Sequence, residues 1–438
     1  MNHTTTTYLL ALCAGACAAA ISFYAPLFPY GVDSAGYIDQ ARSFMDRGVF
    51  EVNPSNRWGA GVVPLPAKLF PPGYPILIVI GSILFQLPAE VVAPFLSLAA
   101  LFVLPWVIVI AFHRALGLWP AFWIALVVGL TPAVVKCGYV AFSNLPSLVW
   151  VVFAVHRLLV AGNRPAAWFF LGLLSGFACL IRNANLGLLL TISIYMFWQF
   201  IVASETRRET FKNTLIWLAS NILILAPWLI RNLLVFGEFQ PYSMSPSSVS
   251  LGENIHDYLK SQSATLSTLG PLDAFLADHA AGAVLLLILF ALSVQQVIRT
   301  WGKWQDIEQK AFFLSVLYTA FGAAITIAAR TKYEWGVHIV ARYAIPYSCF
   351  IFVALMIVLK NTTFKINPRY CGLAVVITLL LFRLYELPSL YTPNAYQQGI
   401  LKMAVKIQAD PDRMCDYSKG RVVISNQAFV YRILCRIP

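Results

Sequence analysis

Residues Val91 to Phe112 read VVAPFLSLAALFVLPWVIVIAF, twenty-two positions without one charged side chain. An α-helix rises about 1.5 Å per residue, so about 20 apolar residues cross a bilayer core of roughly 30 Å. Runs of this kind recur at Trp119–Gly138, Leu145–Ala161, Pro165–Ile181, Leu186–Ala203, Asn213–Ile230, Ala281–Ile298, Ala311–Ala328, Tyr343–Leu359 and Cys371–Phe382. With a first run at Tyr8–Phe28 they predict about eleven spans, an all-α polytopic transmembrane bundle.

Composition agrees. Of the 438 residues 59% are hydrophobic and 11% charged, and the mean hydropathy is +0.72. A soluble domain carries roughly a quarter charged residues, so the missing polar surface must face lipid. The first run has no basic residue before it, and Leu12 ahead of Cys13 is too large for a lipoprotein cleavage site, so it reads as an uncleaved helix. The net charge of +12 is spread over the loops between runs with no basic, aromatic-interleaved module. It therefore points to membrane lipids and phosphate as partners, not to nucleic acid. The eight cysteines include no CxxC pair. Cys415 and Cys435, in the polar tail, are the two placed to pair if that tail is extracytoplasmic.

The run Pro72–Gln86 is short and opens on two prolines. If it does not cross, His113-Arg114, Arg157, Arg164, Arg207-Arg208, Lys212, Arg299, Lys303, Lys310, Lys360, Lys365 and Arg369 all fall on one side, the cytoplasm. The outer face then receives loop Pro29–Glu90, the turn Tyr139–Asn144, loop Arg231–Ala280, segment Arg330–Arg342 and the tail. Residues 1–387 form one membrane domain whose outer loop 29–90 carries interfacial helices, and residues 388–438 a short extracytoplasmic tail. This is an inner-membrane-type protein with its active site on the periplasmic or equivalent outer side.

Span centres are almost free of ionisable groups, whereas ion-coupled carriers keep them at mid-membrane. The chemistry therefore belongs to the outer loops. From Ser34 to Arg47, Tyr37, Ile38, Ala41, Phe44 and Met45 recur at helical spacing and Gly48 supplies a stop, which predicts a helix lying in the interface. Asp33 stands at its start, fit to act as an N-cap, as a base, or as both.

These residues carry a family resemblance. Val32-Asp33-Ser34-Ala35-Gly36-Tyr37-Ile38-Asp39-Gln40-Ala41 resembles the first-loop D…Y…A segment of GT-C class glycosyltransferases, among them the protein O-mannosyltransferases and the bacterial aminoarabinose lipid A transferases. Lys68-Leu69-Phe70-Pro71-Pro72-Gly73-Tyr74-Pro75 resembles the PP-x-YP segment of the same loop. Ala226-Pro227-Trp228-Leu229-Ile230-Arg231-Asn232 with Phe236-Gly237-Glu238-Phe239 resembles a PW-x-x-RN…FG-x-F turn, and Ala341-Arg342-Tyr343 with Pro346 an RY…P element. One departure stands out. Relatives carry a second acid in the short outer turn, where this chain has Phe142-Ser143-Asn144-Leu145-Pro146.

The resemblance implies a GT-C-like bundle that transfers a sugar from a polyprenyl-phosphate donor to a lipid, glycan or protein acceptor. Asp33 is the implied catalytic base. Arg231, Arg342, Arg182 and Lys332 are the implied donor-phosphate residues, with a snorkelling interface anchor as the competing reading of each, the one favoured for Arg182 and Lys332. Tyr37, Asp39, Tyr74, Asn144, His338 and Tyr343 are the implied sugar-contacting residues, although an aromatic belt explains the tyrosines as well. A divalent metal is compatible with this chemistry, and the sequence holds no dedicated ligand cluster for one.

Asp410-Pro411-Asp412 matches a nucleotide-sugar DxD only superficially and reads as a turn. P-loop, HExxH and GxSxG signatures are absent. The competing functions are a polymerase or ligase of diphosphate-linked oligosaccharides, a carrier or flippase of lipid-linked sugars, and a non-catalytic membrane subunit.

Overall fold

A computed structural model describes residues 3–25, 29–53, 57–59, 63–202, 207–241, 244–266, 294–335, 339–361, 395–409 and 422–424. In chain order the elements are α1 His3–Tyr24, α2 Val32–Arg47, β1 Glu51–Val52, β2 Arg57–Gly59, β3 Leu65–Pro66, α3 Gly73–Phe85, α4 Ala89–Leu116, α5 Leu118–Gly129, α6 Pro132–Lys136, α7 Asn144–Val160 and α8 Pro165–Ile181. They continue as α9 Leu186–Val202, α10 Arg207–Phe236, α11 Leu251–Leu266, α12 Asp306–Lys332, α13 Ala341–Lys360, α14 Ala395–Ala409 and β4 Val422–Ile424.

The protein is a helical, multi-pass membrane protein. Six described helices are long and apolar enough to cross a bilayer, within α1, α4, the stretch Asn183–Val202, α10, α12 and α13. Helices α3, α5, α7 and α8 are apolar but shorter. The span expected over 371–382, and most of that over 281–298, lies outside the described residues.

The run expected as one span at Trp119–Gly138 is broken. Helix α5 stops at Gly129, Thr131 takes an extended conformation, and Pro132 starts the short α6. Proline has no N–H to continue the ladder and disfavours helical geometry in the residue before it. At thirteen residues, α3 reaches only about 20 Å, short of a crossing. It folds back on α4, with the Tyr74 hydroxyl donating to Ala93 O at 2.7 Å. Prolines 94 and 105 in α4, 227 in α10 and 346 in α13 sit inside their helices, tolerated in a membrane because packed neighbours re-satisfy the freed backbone.

Helix α4 is the hub, lying against α1, α5 and α7, while α12 pairs with α13 and α9. Helices α8 and α10 pack along much of their length. A Cβ on Gly172 would collide with Ser220 and with the Trp217 carbonyl. Trp217 Nε1 donates to Ser175 Oγ at 3.0 Å and Ser175 donates to Asn221 Oδ1 at 3.1 Å. Small residues that admit close backbones, with hydroxyl and amide bonds across the gap, are how helices associate where lipid removes the hydrophobic drive.

One end of the bundle is closed by a latch. Lys360 Nζ, at the end of α13, meets Glu308 Oε1 at 2.6 Å and donates to Ala115 O at 2.9 Å, with Glu308 buried. Arg114 and Arg157 in the last turns of α4 and α7, and Lys310 in the first turns of α12, also stand at helix ends. The opposite end carries the first loop. There β1 pairs antiparallel with β3, and β4 of the tail pairs with β2. Ala404 and Ile407 of α14 join the apolar cluster of α2 and α3.

Valine at position 172 should destabilise the protein by about 1–3 kcal/mol through overpacking. Thermal unfolding of Gly172→Val in detergent checks this, against Gly302→Ala, where the added Cβ meets open space.

Candidate functional site

The site lies where helix ends converge away from the Lys360 latch. Helix α2 begins at Val32 and ends at Gly48, whose φ of +70° provides the expected stop. Asp33 is not its N-cap. That position belongs to Gly31, and the Ser34 hydroxyl accepts from Gly31 N–H at 2.8 Å. Ser34 in turn donates to Ala141 O at 2.9 Å, tying the start of α2 to the loop that follows α6.

With no cap to make, the Asp33 carboxylate reaches across the bundle. Its Oδ2 lies 3.2 Å from Nη1 of Arg342, in the first turn of α13, and both side chains keep partial exposure of 32% and 22%. Arg342 is held from several sides. Nη2 donates to the Tyr343 hydroxyl at 2.9 Å, and the guanidinium lies 4.9 Å from the rings of both Phe142 and Tyr343. Asn144 donates from Nδ2 to the Arg342 carbonyl at 2.6 Å. Where the resemblance expects a second acid, this chain has a donor that clamps the backbone of the arginine.

Arg182 caps the C-terminus of α8, and its guanidinium lies 5.3 Å from the Tyr343 ring. Two guanidiniums thus share one aromatic ring. Among the described residues Asp33 is paired with Arg342, and Arg182 has no carboxylate at ion-pair distance. The turn carrying Arg182 is rigid because Asn185, fully buried, donates to Ser147 Oγ and Ala178 O, both at 2.7 Å, and accepts from the Tyr318 hydroxyl at 3.2 Å.

Tyr37 packs between Phe70 and Tyr74, with its hydroxyl 3.0 Å from Ser143 Oγ. Burial, reinforced by the nearby Asp33 charge, pushes its phenol well above the ordinary range, and the positive charges of Arg182 and Arg342 act against that rise. It stays a neutral hydroxyl at physiological pH.

The structure therefore brings together Asp33, Arg342, Tyr343, Arg182, Asn144 and Tyr37. The other expected residues have these surroundings. Arg231 fastens the first loop, donating to Ala67 O at 2.7 Å and Phe50 O at 3.1 Å and lying against Trp228 and Phe236. Lys332 is exposed over Tyr333. Asp39 is buried and accepts the Asn53 N–H at 3.0 Å, and Tyr74 is a core residue bonded to α4. His338 lies outside the described residues, as do Cys415, Cys435 and Asp410-Pro411-Asp412.

The sequence reading places Phe142 and Ser143 in the outer turn without assigning them a site role, and it does not single out Asn185. The break at Pro132 adds to the signal that the chain turns there. Among the described residues no three His, Cys, Asp or Glu side chains converge to hold a metal ion.

Asn144→Leu, close in volume but without the donor, should cost about 1 kcal/mol locally. Amide exchange at residues 341–345 should quicken about fivefold, a shift read by hydrogen–deuterium exchange in detergent, with the α8–α10 contact unchanged as reference.

No protein-family model matches the sequence, and no curated protein sequence matches it. Solved structures do. ArnT from Cupriavidus metallidurans in the apo state superposes with a TM-score of 0.54 at 12% identity, over 99% of this chain and 78% of that one. The same protein bound to undecaprenyl phosphate gives 0.54 at 13% identity, over 98% and 69%. The apo oligosaccharyltransferase of Archaeoglobus fulgidus gives 0.55 at 12% identity over 96% of this chain, which spans 59% of that protein's length. Identities this low speak to fold. The chain has the membrane fold of the GT-C glycosyltransferases, the class its ordered motifs resemble.

Proposed function

We propose that this protein is a membrane glycosyltransferase that moves a sugar from a polyprenyl-phosphate-linked donor to a lipid, glycan or protein acceptor. The observation that carries the reading is the Asp33–Arg342 pair, 3.2 Å apart at the mouth of converging helix ends, with Arg182 on the other side of Tyr343. One carboxylate and two guanidiniums leave a net positive, partly exposed pocket. An interfacial phosphate is the anion best matched to it, since guanidinium binds phosphate in a planar, bidentate way. The solved relative bound to undecaprenyl phosphate supports the same donor class.

Transfer is a displacement at the anomeric carbon. The acceptor hydroxyl oxygen forms the new bond, the bond from that carbon to the donor phosphate oxygen breaks, and the hydroxyl proton passes to Asp33. The phosphate leaves with the bond's electron pair, its charge offset by Arg182 and Arg342. Arg342 pairs with the resting carboxylate and aims it. Donor binding would draw it toward phosphate and free Asp33 to take the proton. Tyr37, Asn144 and Tyr343 frame the pocket. Arg231 is assigned to holding the first loop, and Lys332, Asp39 and Tyr74 to no direct part in the chemistry. The bundle through residue 387 acts as one catalytic unit. The basic residues gathered toward the Lys360 end support a cytoplasmic assignment for it, with the site toward the periplasm or its equivalent.

The test uses purified protein in lipid vesicles with a panel of polyprenyl-phosphate sugars and envelope extract as acceptor. Asp33→Asn, folded as judged by an unchanged melting temperature, should lose about 100- to 10,000-fold in turnover. Arg182→Ala should raise KM for the donor roughly thirtyfold, the value of one lost charged hydrogen bond near 2 kcal/mol. Equal turnover by Asp33→Asn removes Asp33 as the base. No turnover by wild type with any donor favours a carrier of lipid-linked sugars.

A further inference from the structure

Helix α11, Leu251–Leu266, is built with its polar side inward. The residues it buries are Asn254, Tyr258, Ser261, Gln262 and Thr265. Each docks by hydrogen bonds or a ring contact. Asn254 Nδ2 donates to Thr331 Oγ1 at 3.1 Å, in the last turn of α12. Ser261 Oγ donates to Ile339 O at 2.5 Å. Gln262 Nε2 donates to Thr265 Oγ1 at 3.1 Å and Ser348 Oγ at 2.9 Å, while its Oε1 accepts from the Tyr258 hydroxyl at 3.4 Å. The Tyr258 ring lies 6.4 Å from that of Tyr347.

The outward sides are of two kinds. Leu251, Ile255 and Leu259 recur every fourth residue and are 55%, 40% and 56% exposed. Glu253, His256 and Lys260, also exposed, fall on the flank away from them. So α11 has three faces. One is polar and fastened to protein, one is apolar and uncovered, and one is charged and uncovered.

A soluble surface helix buries its apolar stripe and exposes its polar one. The reverse is the rule beside lipid, where apolar groups face outward and polar groups must be satisfied inside the protein. Depth agrees. The helix starts level with the last turn of α12, and Gln262 meets Ser348, seven residues into α13, or about 10 Å below its first residue. Both partner helices are long and apolar enough to cross a bilayer.

We propose that α11 is an interfacial membrane helix. Its Leu251–Ile255–Leu259 flank contacts the acyl chains of the bilayer, and its Glu253–His256–Lys260 flank faces water. Residues 251–266 are then in contact with lipid, within the stretch Arg231–Ala280 that the sequence reads as an outer loop.

The experiment uses the unaltered protein in vesicles of phosphatidylethanolamine and phosphatidylglycerol doped with a lipid carrying a diazirine near the carbonyl end of its acyl chain. After photolysis, peptide mass spectrometry should place lipid adducts on Leu251, Ile255 and Leu259 at a yield comparable with Leu223 of α10, which is 61% exposed. Hydroxyl-radical footprinting from water should mark His256 and spare Ile255. The proposal is overturned if Leu223 carries adducts and residues 251–259 do not. It is equally overturned if water-borne radicals mark Ile255 as strongly as His256. Protection of Ile255 from both reagents that disappears on dilution of the protein would assign the flank to a second copy of the chain, and also overturns it.

Discussion

A bilayer offers no hydrogen-bond partner, and that constraint governs almost every feature of this protein. Backbone within the hydrocarbon must be helical, and polar side chains there must bond to one another. The contact between α8 and α10 accordingly runs on Gly172, Ser175, Trp217, Ser220 and Asn221, with donors and acceptors matched across the gap. The buried Glu308 is tolerated because Lys360 meets it and the Gln305 N–H donates to it. Irregular backbone and free charge are expelled to the two ends, so a reaction site has only the ends to occupy.

At the end opposite Lys360, the first loop is fastened by charged side chains. Arg231 holds two loop carbonyls, Arg42 meets Glu90 at 3.0 Å, and the Tyr30 hydroxyl donates to the Glu90 carbonyl at 2.8 Å. These contacts fix α2, and α2 carries Asp33. The helix-end clamps from Asn144 and Asn185 do the same for Arg342 and Arg182. Asp33, Arg342 and Arg182 are therefore each held in place through neighbouring residues, which is what a site needs if its geometry is to survive lipid motion.

Much of this was legible in sequence. Uncharged runs such as Val91–Phe112 reported spans, since length and polarity alone decide whether a helix can cross. Gly48 reported the end of α2, and the order of Asp33, Tyr74, Arg231 and Arg342 motifs reported the fold. The division of labour among the arginines was not legible. Arg182, Arg231 and Arg342 all sit at helix ends and look alike as interface cations. Only their three-dimensional neighbours separate an arginine facing a carboxylate from one holding backbone carbonyls.

Sequence by itself determined that the chain is a helical membrane protein, because hydropathy and spacing are local properties and the bilayer reads them locally. It also marked Asp33 as the acid at a helix start beside the membrane. Tertiary structure alone decided that Asp33 pairs with Arg342, 309 positions away in the chain, that Asn144 donates where an acid was expected, and that α11 turns its polar face inward. The physical reason is that an ion pair or a buried amide is defined by its partner, and the partner lies on another helix.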